Sequence, residues 1–550
     1  MSTQTHHVRD TIELTEVEQK IFDRLLATQL HFKLKTDIRV AGGWVRDKLL
    51  GKDSNDIDIA LDHMMGKEFA DKVREYSLYL KEDAPSVCVI ESDAEKSKHL
   101  ETATMRLFGI SIDFVNLRSE KYKKECNIPE QTFGTAEEDA YRRDLTINSL
   151  FYNINNGAVE DFTKRGISDL KSGKIVTPLP PKATFLDDPL RVLRAIRMVG
   201  AILDFTLDED LKGAAACDDV KNDLTVKVIR VCSRKVDLMI SGNQPVKAMT
   251  YICGLTLFQT KEVYKISKER IGKEVDLMIT GNQPVKAMTY ICELTLFQTV
   301  FTLPEHELVI SDECERLCIS YLDNASKLIH LLGESTFTVE QRRLALYAAL
   351  FLPLRNNTYK KKAKKIPVVN RIILESLKFK AKDAETVLDL HRLSYQFLSL
   401  IPYLASGEDM QASNLDWMGD LIDVPVSSRA RVITGFLLIE LRDFWRVVLL
   451  ISILLHPIDT ENEHSQLEKR RYLFNAVENS IMKLGLEKVW DVKPLINGKD
   501  VMKVLQLKGG PLVKEWLDKT MAWQLANPSG TSKKCIEWLE EANSKRVKLE

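Results

Sequence analysis

The chain has 550 residues, 44% of them hydrophobic and 29% charged, with a formal net charge of −1. That length allows roughly three or four domains of ordinary globular composition. The near-neutral balance excludes a global basic field, so nucleic-acid contacts must come from local patches.

The N-terminal segment MSTQTHHVRDTIELTEVEQK has no apolar signal core. Its Asp10, Glu13, Glu16 and Glu18 speak against a mitochondrial presequence, which should be poor in acids. Cytosol or nucleus is the expected location, and an alternative start would be the route to a mitochondrial pool. Nine cysteines without C-x-x-C spacing point to a reducing compartment and away from a zinc module. Cys314 and Cys318 read as buried core thiols on a helix.

Strand-like runs follow at Ile38–Val40, Ile57–Leu61, Val87–Ile90 and Ile110–Val115, mixed with helical segments, so the first domain reads as α/β or α+β. The stretch VAGGWVRDKLLGKDSNDIDIALD, Val40 to Asp62, carries the first chemistry. Gly42-Gly43 lets a backbone turn approach phosphate oxygens, and Arg46 follows one helical turn later. In NDIDIALD, Ile57 and Ile59 alternate with Asp56 and Asp58, a period-two strand pattern. Residues two apart share a face at about 6.5–7 Å between Cα atoms. Two carboxylates that close repel, and a divalent cation between them would relieve the repulsion. A solvated surface pair beside an ordinary turn is the plainer alternative.

In FGISIDFVNLRSE, Asp113 lies between apolar neighbours and could complete a three-acid metal site with Asp56 and Asp58. An edge-strand aspartate in solvent fits equally well. In EEDAYRRDLTINSLFYN, Asp144 suits a helix cap, and Arg143 could reach a nucleotide's phosphates or ribose.

After about residue 185 the pattern turns almost wholly helical. DDPLRVLRAIRMVGAI places Asp188 as an N-cap and Pro189 at the first helical position. Asp188 and Arg191, three apart, share one face with Arg194 and Arg197. A salt-bridged surface helix is one reading. The other is base selection, because a carboxylate accepts from the exocyclic amine of C or A while a guanidinium donates to the adjacent ring nitrogen. U and G present the reverse polarity, a penalty of about 1–3 kcal/mol per contact. Such a helix would choose C and A without a nucleic-acid template.

An internal repeat follows. Val236–Thr260 recurs as Val275–Thr299, with 23 of 25 positions identical at an offset of 39. A solenoid needs about three or more repeats, so a tandem duplication fits better. The motif ISKERIGKE precedes only the second copy, and joining Thr225 to Lys261 would give an uninterrupted amphipathic run. The second copy is therefore expected in the native position and the first as an extrusion.

From 311 onward long amphipathic patterns dominate, and FWRVVLLISILLHP reads as a buried helix, too short and interrupted to span a membrane. From Arg355 to Lys382 ten Lys and Arg residues face one acid, Glu375, a local charge of +9. A solvated helix face is the usual reading of such a run. On this chain Lys360, Lys361, Lys362, Lys364 and Lys365 are also the obvious footprint for phosphates.

The ordered set GGWVRD, DIDIALD, RRDLTINSL, GISDLKSGKIVTP, DDPLRVLRAIR and ISKERIGKE resembles the class II tRNA nucleotidyltransferases, the CCA-adding enzymes, with a C-terminal half most like fungal members. The motifs span roughly Ile38 to Glu274, and a looser helical resemblance continues to the end. The resemblance implies an α+β chain: a polymerase-β-like head (1–157), then all-α neck (158–303), body (304–490) and tail (491–550). It implies that Asp56 and Asp58 hold two Mg²⁺, and that Gly43, Arg46 and Arg143 contact the incoming nucleotide, with Gly42 and Asp144 beside them. Asp188, Arg191, Arg194 and Arg197 would form a protein template, although the chain has Asp187-Asp188 where the family usually has Glu-Asp. The implied activity is addition of C, C and A to the 3′ end of tRNA from CTP and ATP, with the basic body gripping the acceptor arm. DNA and membranes are not expected partners. Rival readings are a poly(A) polymerase with the same head and a non-catalytic tRNA-binding scaffold.

Overall fold

The computed structural model describes residues 6–90, 102–123, 126–225, 227–230, 261–264, 266–301, 311–361, 364–406, 424–458 and 462–549. It divides into two compact units, residues 1–302 with Ser376–Lys378, and residues 303–375 with 379–550.

In the first unit, a seven-stranded mixed sheet forms the head. Its strands are β1 (Ile38–Ala41), β2 (Ile57–Leu61), β3 (Val87–Ile90), β4 (Thr102–Leu107) and β5 (Ile110–Asn116). A separate hairpin, β6 (Arg118–Lys123) and β7 (Cys126–Phe133), precedes the last two, β8 (Phe151–Asn153) and β9 (Ala158–Glu160). The order is β3–β4–β5–β2–β1–β8–β9. Only β2 and β5 run parallel, with Asp58 opposite Asp113. The period-two reading of β2 holds, since Ile57 and Ile59 are buried while Asp58 is partly exposed.

Helices α1 (Glu16–Phe32), α2 (Gly43–Leu49), α3 (Gly66–Tyr79) and α4 (Ala136–Arg142) flank the strands. Both α1 and α4 start with full capping boxes, Thr15 with Glu18 and Thr135 with Glu138, which satisfy two orphan donors at each start. Glu18 then continues inward. It accepts from the Trp44 indole at 2.9 Å and pairs with buried Lys48 at 2.7 Å, tying α1 to α2. Where α3 crosses β5, a Cβ on Gly66 would lie 2.5 Å from the Phe114 carbonyl oxygen, so only glycine permits that approach.

Past the head, the helix Leu190–Ala201 is the centre of a helical layer. The second repeat copy supplies its partners, the helices Lys268–Ile279 and Pro284–Glu293. The Gln283 amide donates to the Gly200 carbonyl at 2.9 Å, and the Asn282 side chain donates to Ala201 at 3.0 Å. Val275, Met278, Ile279, Ala287, Met288 and Ile291 are all buried there. The second copy thus fills the core beside this helix, as expected. The first copy lies outside the described residues.

The second unit is mainly helical. The helix Trp445–Leu455 is buried along almost its whole length, and Ser452 Oγ donates to the Ser394 carbonyl of the helix Ala381–Ser406 at 2.9 Å. Burial pushes His391 down to about 4, so the ring is neutral at physiological pH; one ring nitrogen lies 2.7 Å from the Ala348 carbonyl. A smaller core of Ile496, Val501, Trp516, Cys535 and Leu539 closes the C-terminal end. Cys318 is buried and Cys314 half-buried, close to expectation. The basic run departs from a helical face. It forms a hairpin, Thr358–Lys361 with Lys364–Pro367, because Tyr359 anchors one strand in the core and leaves the lysines outside.

The duplication has a geometric outlet. Lys227–Arg230 pairs antiparallel with Lys261–Tyr264, so the chain leaves and returns at neighbouring points on either side of residues 231–260. Insertions closed at their base disturb the host fold least. Deleting Val226–Thr260 should therefore preserve nucleotide incorporation and raise the unfolding temperature or solubility. Thermal unfolding and incorporation measured on the deletion variant check this. Loss of activity, with the parent active and monodisperse, would make the first copy integral.

Candidate active site

The phosphate-clamp residues converge at the start of α2. Gly42 has φ +78°, a left-handed conformation that favours glycine, and its amide donates to the Leu150 carbonyl at 2.9 Å. A Cβ there would lie 2.8 Å from a terminal nitrogen of Arg143. The sequence places Gly42 and Arg143 a hundred residues apart, and the fold puts one against the other. Arg46 extends beside Gly43 and reaches Asn148 Oδ1 at 2.5 Å, Met198 Sδ at 3.3 Å and Asp47 at 2.8 Å.

The acid group lies where the start of β2 pairs with the middle of β5. Asp113 is not on an edge: β5 runs between β4 and β2, and Thr104 Oγ1 donates to Asp113 Oδ1 at 2.6 Å. Asp58 sits in register beside it, with exposed Asp56 two residues earlier. Burial is the largest influence on Asp58 and raises its pKa. Asp56 and Asp113 push the same way, Arg143 and Arg118 oppose them, and the result is about 6 against an ordinary 3.8. These are hard oxygen donors of the kind that suit Mg²⁺ rather than a soft metal. They do not form a closed cage: among the described residues, no group of three His, Cys, Asp or Glu is gathered tightly enough to hold an ion alone.

The helix Leu190–Ala201 starts one residue later than the capping pattern suggests, with Pro189 as N-cap. Asp188 ends the preceding helix Pro181–Asp187, yet its carboxylate still accepts from the Leu190 amide at 3.1 Å. Its other oxygen meets Arg270 at 3.3 Å. Buried Arg191 donates to the Arg142 carbonyl at 2.6 Å. Arg194 and Arg197 both pair with Glu274, at 3.4 and 2.6 Å, and Arg194 also lies 3.8 Å from Asp144. Burial works against the Arg194 charge, but Asp144, Asp188 and Glu274 outweigh it and raise its pKa. Asp144 is not the helix cap anticipated for that stretch: the following turn, Thr146–Asn148, is a short 3₁₀ turn with Leu145 at its N-cap, and Asp144 Oδ1 accepts from the Leu145 amide at 2.8 Å and the Asn148 side chain at 3.2 Å.

Glu274, Arg270, Asn148 and Asp139 hold these groups in place and were not foreseen. One signal was available: Arg270 and Glu274 are four apart, so a helix through ISKERIGKE puts both on one face. The five lysines gather elsewhere, in the second unit. Lys360 opposes Lys365, Lys361 opposes Lys364 and pairs with Glu375 at 2.6 Å, and Lys362 lies outside the described residues.

Residues 38–176 match the family model described as the Poly A polymerase head domain. Over 559 residues the chain is 32% identical to the mitochondrial CCA tRNA nucleotidyltransferase of Saccharomyces cerevisiae, covering 96% of this chain and 93% of that one. It is 31% identical over 545 residues to the tRNA nucleotidyltransferase cca2 of Schizosaccharomyces pombe, covering 96% and 98%. Similarity to the poly(A) polymerase I of Haemophilus influenzae spans only 31% of this chain and 36% of that one. The fold is that of the Bacillus stearothermophilus CCA-adding enzyme solved in complex with CTP, at a TM-score of 0.59 and 19% identity, covering 97% and 100%. With a relative more than 30% identical along nearly its whole length, the chain belongs to the CCA tRNA nucleotidyltransferase family.

Proposed function

We propose that this protein adds C, C and A to the 3′ end of tRNA, using CTP and ATP and releasing pyrophosphate. The observation that carries the reading is the presence in one unit of three acids on and beside the paired strands β2 and β5 and of a row, Asp188, Arg191, Arg194 and Arg197, held by fixed partners. The first feature belongs to any nucleotidyl transfer; the second supplies choice of base.

Asp56, Asp58 and Asp113 would hold Mg²⁺, since Asp58 is crowded by like charges that a cation would relieve. When bound, the metal lowers the pKa of an attacking hydroxyl and stabilises charge on the transferring phosphate. The residues of the chain do the rest. The Gly42-Gly43 turn and Arg46 would seat the triphosphate, with Arg143 beside them. Asp188 and Arg191, steadied by Arg270 and the Arg142 carbonyl, would present a carboxylate and a guanidinium to the edge of C or A. The lysines of the Thr358–Lys361 and Lys364–Pro367 hairpin would contact tRNA phosphates, helped by an otherwise near-neutral chain.

Two relatives, from Saccharomyces cerevisiae and Candida glabrata, are named mitochondrial, which supports a mitochondrial pool beside a cytosolic or nuclear one. No helix among the described residues is long and apolar enough to cross a membrane.

Three experiments test this reading. With tRNA lacking its CCA end and CTP alone, the protein should add C; a poly(A) polymerase would require ATP, and failure to add C would refute the proposal. Asp56→Ala and Asp58→Ala should each abolish incorporation while tRNA binding persists. Retention within about tenfold of the parent, roughly 1.4 kcal/mol of transition-state stabilisation, would contradict the metal role. Asp188→Ala and Arg191→Ala should blunt the preference for C and A over U and G more than they weaken triphosphate binding. Single-turnover incorporation of all four nucleotides measures this, and an unchanged preference in both would leave only a structural role.

Asp58 also yields a pH prediction. Its folded-state pKa lies above the ordinary value, so the folded protein holds that proton more tightly than the unfolded chain. The stabilisation is full below pH ~4 and is lost as pH rises through ~6. With a chelator at pH 7.5, Asp58→Asn should therefore raise the unfolding temperature, on the order of 2 °C, and give no gain at pH ~4. An equal gain at both pH values would show that charge is not the cause.

A further inference from the structure

Asp139 is the most deeply buried acid near the site, at 1% exposure, in the first turn of α4. Three residues donate to it: Arg143 through Nε at 2.9 Å, Arg142 through Nε at 2.9 Å and also Nη2, and Arg118 through its amide at 3.0 Å. Burial alone would raise its pKa; Arg143 and Arg142 outweigh burial and hold the carboxyl below its usual range, so it is ionised.

The three donors lead to three different parts of the site. Arg118 opens the hairpin directly after β5, the strand that carries Asp113. Arg143, gripped at Nε, turns a terminal nitrogen to the Asn148 carbonyl at 3.2 Å and lies over the Phe151 ring at 5.0 Å. That pose puts it against Gly42 and among the charges acting on Asp58. Arg142, gripped the same way, offers its backbone carbonyl to Arg191. Stability alone does not call for this arrangement, because well-packed apolar residues commonly replace a buried ion pair at no loss.

We propose that Asp139 is a positioning residue coupling the phosphate clamp to the base-reading helix, by orienting Arg143 toward the incoming nucleotide while fixing the Arg142 carbonyl that anchors Arg191. The inference rests on the nucleotidyl-transfer reading above. Asp139 touches no reacting atom and acts only through the two arginines. Removing its charge frees Arg143 to swing away from Gly42 and releases the peptide that Arg191 grips. Two defects should therefore appear together, one in nucleotide affinity and one in base choice.

The test uses the full chain with tRNA lacking its CCA end, comparing Asp139→Asn, Arg143→Met and the double variant. Asp139→Asn should raise KM for CTP about tenfold or more, lower the preference for C over U by a similar factor, and change kcat less. Arg143→Met should raise KM without altering base choice. In KM the double variant should be no worse than the poorer single by more than about twofold, as for residues acting in series. A parental KM or a parental base preference in folded Asp139→Asn overturns the proposal, as does a multiplicative double variant. If Asp139→Asn does not fold, Arg143→Lys decides. It keeps the charge but loses the Nε contact, so a KM like that of Arg143→Met supports the coupling and a parental KM refutes it. Failure of the parent protein itself to add C would instead refute the underlying reading.

Discussion

The constraint on which the rest of the structure depends is the in-register pairing of Asp58 with Asp113 on the only parallel strand pair of the sheet. Backbone hydrogen bonding fixes the strands, so the carboxylates cannot move apart as free side chains would. Burial first, then Asp56 and Asp113, raise the Asp58 carboxyl to about 6. Such a cost, sustained inside the sheet, is one that a bound cation would relieve. The surroundings are arranged accordingly. A glycine turn leaves room for two arginines, Arg143 and Arg46, whose charge a polyanionic nucleotide would complement.

Choice of base, as proposed, is a separate problem that rigidity would solve. Long cationic side chains on an exposed helix would sample many rotamers, and ordering them costs free energy on each binding event. Here Glu274 holds Arg194 and Arg197, Arg270 meets Asp188, and the Arg142 carbonyl holds Arg191. Most of that ordering is already present before a nucleotide arrives. Glu274 and Arg270 lie on the helix that runs into the second repeat copy, so correct seating of that copy sets the selecting row. A near-perfect duplication is thereby accommodated: the second copy packs against Leu190–Ala201, and Lys227–Arg230 pairs antiparallel with Lys261–Tyr264.

Much of this was legible from residues alone. The alternation of Ile57 and Ile59 with Asp56 and Asp58 predicted both strand and face, because period-two burial is a local signal. Pro189 and Asp188 marked the selecting helix to within one residue. The basic run was readable as a charge patch but not as a hairpin, since its turn lies among lysines and its anchor, Tyr359, is defined only by distant packing. Asp139 was missed for a similar reason. In EEDAYRRD it is one acid among three in a helix's first turn, and its burial follows from the position of α4 beside the segment after β5. The placement of Asp113 likewise required the strand order, which no local pattern reveals.

The most direct measurement is the mass of the product formed when tRNA lacking its CCA end is incubated with the protein, Mg²⁺ and all four nucleoside triphosphates. If fixed carboxylates drive transfer and a fixed protein row selects the base, the tRNA should gain two C residues and one A and then stop. A heterogeneous ladder of A residues, or U and G incorporated as readily as C, would contradict the account.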